Sequence, residues 1–200
     1  MTAAQPAVDA DEALLAAWVR GEQAAFARLY DRHDRACFDF IRRLLGPEAT
    51  AIAEELHQET WVAVSRAAAG FDADKARFGT WLFTIARNKV MDHFRQHAKL
   101  VTIAGSEGEA LAQSLPDEAA ATPERLAHDR ELGAALLREV EALPLAQREA
   151  FVLFAWDELS LEEVANVTQV GVETAKSRLR YARTTLRTRL AAWWGREDER

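Results

Sequence analysis

The sequence predicts an all-α protein: two small helical domains joined by a flexible acidic linker. Three observations carry that prediction. Apolar residues recur at spacings of three and four along most of the 200 residues, as the buried face of an amphipathic helix requires. No stretch alternates apolar and polar residues as a half-buried strand does. Between about Val101 and Thr122 the helical period lapses, and Gly105, Ser106, Gly108, Pro116 and Asp117 give a linker composition.

From Asp9 to about His97 the pattern is helical nearly throughout. Leu14, Leu15, Trp18 and Val19, then Phe26, Leu29 and Tyr30, then Phe38, Ile41, Leu44 and Leu45 follow helical spacing. Gly46-Pro47 breaks the run, because proline cannot continue a helix and restricts the residue before it. A helix resumes near Glu48 and runs to about Ala69, with Ile52, Leu56, Trp61 and Val64 as apolar positions. Gly70–Asp74 reads as a loop, and a further helix runs from about Phe78 to His97. Beyond the linker, Pro123 suits the first turn of a new helix. Leu143-Pro144 ends one helix and starts another. Ser160 with Glu163 three residues on is a capping box that starts a short helix.

A tight connection then leads into a long helix from Val172 to Leu190. Val172, Ala175, Leu179, Ala182, Leu186 and Leu190 make its buried face. Lys176, Arg180, Arg183 and Arg187 make a basic face, widened by Arg178 and Arg189. No acidic residue falls between Thr174 and Leu190. A helix that packs by one side and shows only positive charge on the other suits a DNA groove.

The formal net charge of −7 has the wrong sign for nucleic-acid binding through bulk charge. The charge is unevenly placed, however. Lys75–Lys99 holds six basic residues against the single acid Asp92, and Val101–Glu131 holds seven acidic residues against two basic. Local basic stripes on an acidic chain point to DNA affinity that depends on a partner. The single cysteine, Cys37, excludes an intramolecular disulfide and fits a reducing cytosol. The first fifteen residues lack a basic start and a long apolar run, so no secretory signal is expected. No apolar run approaches the ~20 residues of a membrane span. The expectation is a soluble, cytoplasmic protein without membrane insertion.

Three segments together resemble a known family. AEELHQETWVAV (Ala53–Val64) is similar to the core-polymerase-binding helix of sigma-70 family RNA polymerase sigma factors. FGTWLFTIARNKVMDHFRQ (Phe78–Gln96) is similar to their promoter-melting, −10-reading helix. LPLAQREAFVLFAWDELSLEEVANVTQVGVETAKSRLRYAR (Leu143–Arg183) is similar to their −35-binding helix-turn-helix. Their order and the chain length most resemble the extracytoplasmic-function (ECF, group 4) type. The resemblance implies region 2 over residues 10–100, a linker over 101–123, region 4 over 124–192 and a charged tail over 193–200. About 25–30 residues of coil between the blocks have an r.m.s. span of about 30 Å, enough to hold two DNA readers on separate promoter elements.

The resemblance also implies a function and a set of contacts. The protein is expected to be a dissociable sigma subunit that binds core polymerase through the β′ coiled coil and the β subunit. It is expected to read the −10 and −35 elements, to trap melted −10 DNA and to direct initiation of a stress or envelope regulon. Promoter DNA, duplex and single-stranded, is the nucleic-acid partner, and an anti-sigma factor is the expected regulator. Glu55, Leu56, Gln58, Glu59 and Trp61 are expected to meet polymerase, where carboxylates can pair with arginine. Phe71, Lys75, Arg77, Trp81, Arg87, Asn88 and Lys89 are expected at −10 DNA, because cations track phosphates while rings or a pocket hold unstacked bases. Thr174, Lys176, Ser177, Arg178, Arg180, Tyr181 and Arg183 are expected at −35 DNA, with Lys176, Ser177 and Arg180 reading base edges. The acidic linker residues Glu107, Glu109, Asp117 and Glu118 would mimic nucleic acid in the polymerase cleft.

The chain departs from the family at the turn. Thr168-Gln169 stands where Leu-Gly is usual, and Glu173 stands where glycine is usual, so Gly171 is expected to supply the sharp turn. Glu173 either places negative charge near DNA or accepts a hydrogen bond from a cytosine amino group. His93 and His97 stand four apart on one helix, but no third ligand lies nearby in sequence, and neither metal nor cofactor is expected. Cys37 beside Phe38 and Phe40 reads as a packed core residue. No nucleophile–base pair or phosphate loop suggests an enzyme. The tail Trp193-Trp194 is expected to pack on the C-terminal block. A stand-alone helix-turn-helix regulator and a helical interaction protein are the competing readings, and neither needs the first two segments.

Overall fold

The computed structural model describes residues 10–104 and 123–191, with side chains described for residues 10–97 and 131–191. Among the described residues there are eight α-helices and no strand. They are α1 (Asp11–Val19), α2 (Gln23–Leu45), α3 (Thr50–Ala67), α4 (Phe78–Ala104), α5 (Pro123–Glu141), α6 (Leu145–Ala155), α7 (Leu161–Thr168) and α8 (Val172–Arg189). The chain divides into two compact units, Met1–Arg42 with Ala51–Ser106, and Arg43–Thr50 with Glu107–Arg200.

In the first unit the continuous helical pattern is cut once more than the periodicity predicts. Gly21 separates α1 from α2 at φ +103°. The Gly21 N–H donates to the Trp18 carbonyl at 2.8 Å and the Glu22 N–H to the Ala17 carbonyl at 3.1 Å. That pair of bonds is a Schellman stop, which needs a left-handed residue after the helix. Gly46, at φ +98° in the short Arg43–Thr50 segment that belongs to the second unit, makes the other break and leads into a 3-10 turn over Pro47–Ala49. α3 therefore starts at Thr50, two residues after the position expected from periodicity.

The core of this unit comprises Leu14, Leu15, Leu29, Phe40, Ile41, Val64, Phe78, Leu82, Phe83, Ala86 and Val90, all buried. Fully burying one such large side chain stabilises by about 1.5–3 kcal/mol. Phe40 of α2 meets Phe83 of α4 edge-on at 5.2 Å. Cys37 is fully buried, as expected for a packing residue. α4 runs past His97 to Ala104, because nothing in Lys99–Ala104 breaks a helix until Gly105. Residues 101–104, expected to be linker, are thus helical, while residues 105–122 and the Trp193-Trp194 tail lie outside the described residues.

In the second unit α6, α7 and α8 pack on one another and α5 packs on α8. Pro144 is the residue before α6, and the Arg148 guanidinium donates to the carbonyls of Glu141 and Leu143, closing the end of α5. Val164, Ala165 and Val167 of α7 face inward against Ala175, Leu179, Ala182 and Leu186 of α8, all buried. Val172 differs: it is 39% exposed, because it occupies the first position of α8, before the helix reaches the core.

The capping box is present. The Glu163 N–H donates to Ser160 Oγ at 3.2 Å, and the Ser160 N–H donates to Glu163 Oε2 at 2.9 Å. The sharp turn after α7 is made by Gln169, not by Gly171. Gln169 sits in the left-handed region at φ 56° and ψ 43°, while Gly171 is extended at φ −70°. The Val170 N–H donates to Ala165 O at 3.0 Å, which fixes the left-handed residue one position after Thr168. The turn is made by a left-handed residue that carries a Cβ.

Candidate nucleic-acid interface and partner-binding face

α3 and α4 carry the candidate surface of the first unit. The exposed positions of α3 include Glu54, Glu55, Gln58, Glu59 and Val62, which recur at spacings of three and four on one outer face. Leu56 and Trp61, expected among the contact residues, are buried at 7% and 6% exposure. They are internal supports of this face rather than part of its surface. Trp61 lies in an aromatic cluster, 5.9 Å from Phe26 and 4.9 Å from Tyr30, ring centre to ring centre. Its indole N–H donates to His57 Nε2 at 3.0 Å.

That same nitrogen stands 3.1 Å from Asp34 Oδ1. Accepting from the indole requires Nε2 to be bare of hydrogen, so the neutral ring does not also donate to Asp34. Asp34 is held by Tyr30 instead. The hydrogen bond to Asp34, with burial second, pushes the Tyr30 hydroxyl up to about 12. The apolar group that α3 does present is Val62, 46% exposed. Sequence reasoning passed over it, although it stands four residues after Gln58 and three after Glu59.

The candidate −10 surface begins in the loop before α4. The Asp74 N–H donates to Asp72 Oδ1 at 3.1 Å, and Lys75 Nζ lies 2.8 Å from Asp72 Oδ2. These two partners, Lys75 first, hold the Asp72 carboxyl below the usual carboxylate range. The Phe71 ring meets Trp81 at 5.0 Å in a tilted contact, and Trp81 lies 6.0 Å from Phe78. Phe78 is fully buried, while Phe71 and Trp81 are half-buried. The ring of Phe71 and the cations Lys75 and Arg77 of the loop thus sit next to the start of α4, where Trp81 meets Phe71.

One turn and more along α4, Arg87 and Lys89 are half-buried and Asn88 is exposed. Lys89 Nζ pairs with Glu59 Oε2 of α3 at 2.8 Å, so a residue expected to meet DNA and one expected to meet polymerase engage each other. The rings of His93 and His97 lie 4.6 Å apart. Burial, and then His97, pushes the His93 imidazole down, with Glu55 opposing. Among the described residues no group of three or more His, Cys, Asp or Glu side chains is placed to hold a metal ion.

In the second unit α8 presents Glu173, Thr174, Lys176, Arg180, Tyr181, Arg183 and Arg187 as exposed side chains, with Ser177 and Arg178 half-buried. Every expected −35 residue therefore reaches solvent. Lys176 Nζ is 3.5 Å from Glu173 Oε1, with the two side chains 62% and 85% exposed. The Arg180 guanidinium lies over the Tyr181 ring at 5.1 Å, and Arg183 over Phe154 of α6 at 4.8 Å. These stacks orient cations without neutralising them. Thr168, where the resemblance leads to an expected leucine, is buried and donates its hydroxyl to the Val164 carbonyl at 2.7 Å, so a polar residue is accommodated in the core at the turn.

Known proteins share this arrangement. Residues 29–100 match the family model for Sigma-70 region 2, and residues 133–186 match that for Sigma-70, region 4. The ECF RNA polymerase sigma factor BldN of Streptomyces coelicolor is 35% identical over 82% of this chain, which spans 61% of BldN's length. The ECF RNA polymerase sigma factor SigW of Bacillus subtilis is 30% identical over 86% of this chain and 91% of its own. The solved structure of CnrH in complex with the cytosolic domain of CnrY superposes with a TM-score of 0.63 at 30% identity, covering 92% of this chain and 99% of that one. The chain belongs to the sigma-70 family of RNA polymerase sigma factors, in its ECF branch. Among the described residues no helix is long and apolar enough to cross a membrane.

Proposed function

We propose that this chain is a dissociable promoter-specificity subunit that works with core RNA polymerase in the cytoplasm and carries no catalytic chemistry of its own. In this reading residues 10–100 dock on polymerase and read the −10 element, and residues 124–192 read the −35 element. The observation that carries it is the coexistence of three surfaces on one family scaffold. These are the acidic outer face of α3, the ring-and-cation cluster at the start of α4, and the exposed basic face of α8. A stand-alone regulator needs only the last of these.

Glu55, Gln58 and Glu59, joined by Val62, meet polymerase, with Leu56 and Trp61 supporting them from within. Phe71, Lys75, Arg77, Trp81, Arg87, Asn88 and Lys89 form the −10 surface. Bases that open transiently are trapped there, which offsets an unstacking cost of a few kcal/mol each. Lys176, Ser177 and Arg180 meet base edges, and Thr174, Arg178, Tyr181 and Arg183 meet phosphates or mixed sites. A regulatory protein holds the free subunit, a reading supported by the CnrY domain seated on CnrH. The test is run-off transcription with core polymerase on promoters located by mapping transcript starts. Specific initiation from those starts is expected. A protein that shifts duplex DNA unaided but never supports initiation would overturn the proposal.

A further inference from the structure

α1 lies outside the segment matched by the region 2 model, which begins at residue 29. Its first two residues are adjacent acids whose side chains bond to different helices. Asp11 takes α2: its Oδ1 accepts from Arg32 Nη1 at 2.9 Å, and its Oδ2 lies 2.7 Å from His33 Nε2. Glu12 takes α4: its Oε1 accepts the backbone N–H of Phe78 at 2.9 Å. The first N–H groups of a helix have no partner within it. The residue before α4 is Arg77, whose side chain has no acceptor to offer. The cap of α4 is therefore supplied by a carboxylate 66 residues earlier in the chain.

The location of this bond gives it a consequence beyond stability. Phe78 is the first residue of α4 and is fully buried, with the His33 ring 5.1 Å away. One turn on, the Trp81 N–H donates to Arg77 O at 3.1 Å. Trp81 in turn carries Phe71 from the far end of the loop at 5.0 Å. The loop of residues 71–77 is thus anchored at one end by the Phe71–Trp81 ring contact and at the other by the Phe78 N–H. A carboxylate cap is charge-assisted and stronger than a neutral one, and it is favoured at the positive end of the helix dipole.

We propose that Glu12 is a positioning residue for −10 recognition: its bond to the Phe78 N–H fixes where α4 begins, and with it the 71–77 loop and the Trp81 ring. Glu12 touches no base in this arrangement and acts through Phe78 and Trp81. The inference rests on the proposed assignment of the 71–77 loop and α4 to −10 DNA.

The experiment uses holoenzyme assembled from core polymerase and full-length chain, carrying Glu12→Ala, Glu12→Gln or Glu12→Asp. Four quantities are read: affinity for core polymerase, affinity for a single-stranded −10 oligonucleotide, 2-aminopurine fluorescence on promoter opening, and the Tm of the free chain. Loss of a cap typically costs ~1 kcal/mol, so Glu12→Ala should weaken the −10 oligonucleotide about fivefold with core affinity unchanged. Glu12→Gln, which keeps an acceptor oxygen at the same reach but not the charge, should recover about half of the loss, and Glu12→Asp, one methylene short, should not.

A fall in Tm, core affinity and −10 affinity together, reversed on cooling, would mean a merely structural cap and would overturn the inference. Unchanged −10 affinity in Glu12→Ala would do the same. Trp81→Ala and Arg87→Ala serve as the control arm. If they weaken the −10 oligonucleotide while Glu12→Ala does not, only the role of Glu12 is lost. If neither weakens it, the assignment of this surface to −10 DNA is lost as well.

Discussion

The two units expose their functional side chains in opposite ways. In the first unit the candidate groups come from two helices and a loop, and they are already engaged with one another: Lys89 with Glu59, Phe71 with Trp81, Lys75 with Asp72. In the second unit one helix offers the whole set: Lys176 neighbours Glu173 and Arg180 neighbours Tyr181 on the same helix, Arg183 lies over a ring beneath it, and Arg189, at the far end, pairs with Glu139 of α5. A reader built from a single amphipathic helix needs only correct rotation about its axis, which the buried stripe Ala175–Leu186 sets. A surface assembled from several elements needs each element held at its start and its back. That is the work of Trp61 behind α3 and of Glu12 at the start of α4.

The sharpest way to break this contrast is to remove a support from behind. Trp61→Ala deletes the centre of the Phe26–Tyr30–Trp61 cluster and leaves His57 Nε2 without its donor. Truncating a buried tryptophan costs about 3–5 kcal/mol. Polymerase affinity and the Tm of the free chain should therefore fall together. Glu55→Ala, on the outer face, should lower polymerase affinity and leave the Tm within about a degree or two of the parent, since surface changes stay near ±0.5 kcal/mol. Equal Tm values for the two variants would erase the distinction between support and surface.

On the other side of the comparison, α8 should behave as independent readers on a rigid rod. Lys176→Ala is expected to lower discrimination by roughly 1–3 kcal/mol at a single base pair, measured by competition among −35 variants. A uniform loss over all variants would assign Lys176 to phosphate rather than to base. Arg183→Ala is the counterpart, with a loss spread evenly over sequence and a shallower salt dependence.

How much of this could be read in the sequence follows from the same contrast. The basic face of α8 and the capping box at Ser160 were legible, because each depends on residues within a turn or two of one another. The pairing of Glu59 with Lys89, the burial of Trp61 and the cap from Glu12 were not, because they join residues 30 or more positions apart or depend on which face packs inward. Gly21 carried a readable signal, a glycine just after an apolar periodic run, yet the period continued across it and hid the break. The turn at Gln169 was hidden for another reason. Glycine is the usual left-handed residue, so Gly171 attracted the assignment, whereas position in the Schellman stop, not residue type, decides which one adopts it.

That substitution can be tested in reverse. Gln169→Gly removes the Cβ from a residue held at φ 56°, and a left-handed conformation costs a side-chain-bearing residue about 1–2 kcal/mol. Glycine loses about 0.5–1 kcal/mol in chain entropy, so the net gain should lie between zero and about 1.5 kcal/mol, seen as a small rise in the Tm of the second unit. A fall in Tm would show that the Gln169 side chain contributes something its backbone geometry does not reveal.

The smallest expected effect is the most informative about how the first unit is used. Lys89 and Glu59 are 33% and 47% exposed at the side chain, and pairs this open are typically worth 0.2–1 kcal/mol. A double-mutant cycle with Glu59→Gln and Lys89→Met, read by unfolding of the free chain, should give a coupling in that range that shrinks in high salt. The low value matters for function. In the proposed assignment of Glu59 to polymerase and Lys89 to DNA, an arginine of polymerase and a phosphate of DNA, each making a charge-assisted contact, would together replace a weak internal pair at little cost, and neither binding step would have to wait for the other. A coupling above about 2 kcal/mol would reverse that reasoning. Core docking would then have to break a strong bond before Lys89 could reach DNA, and the two steps would be obligatorily ordered.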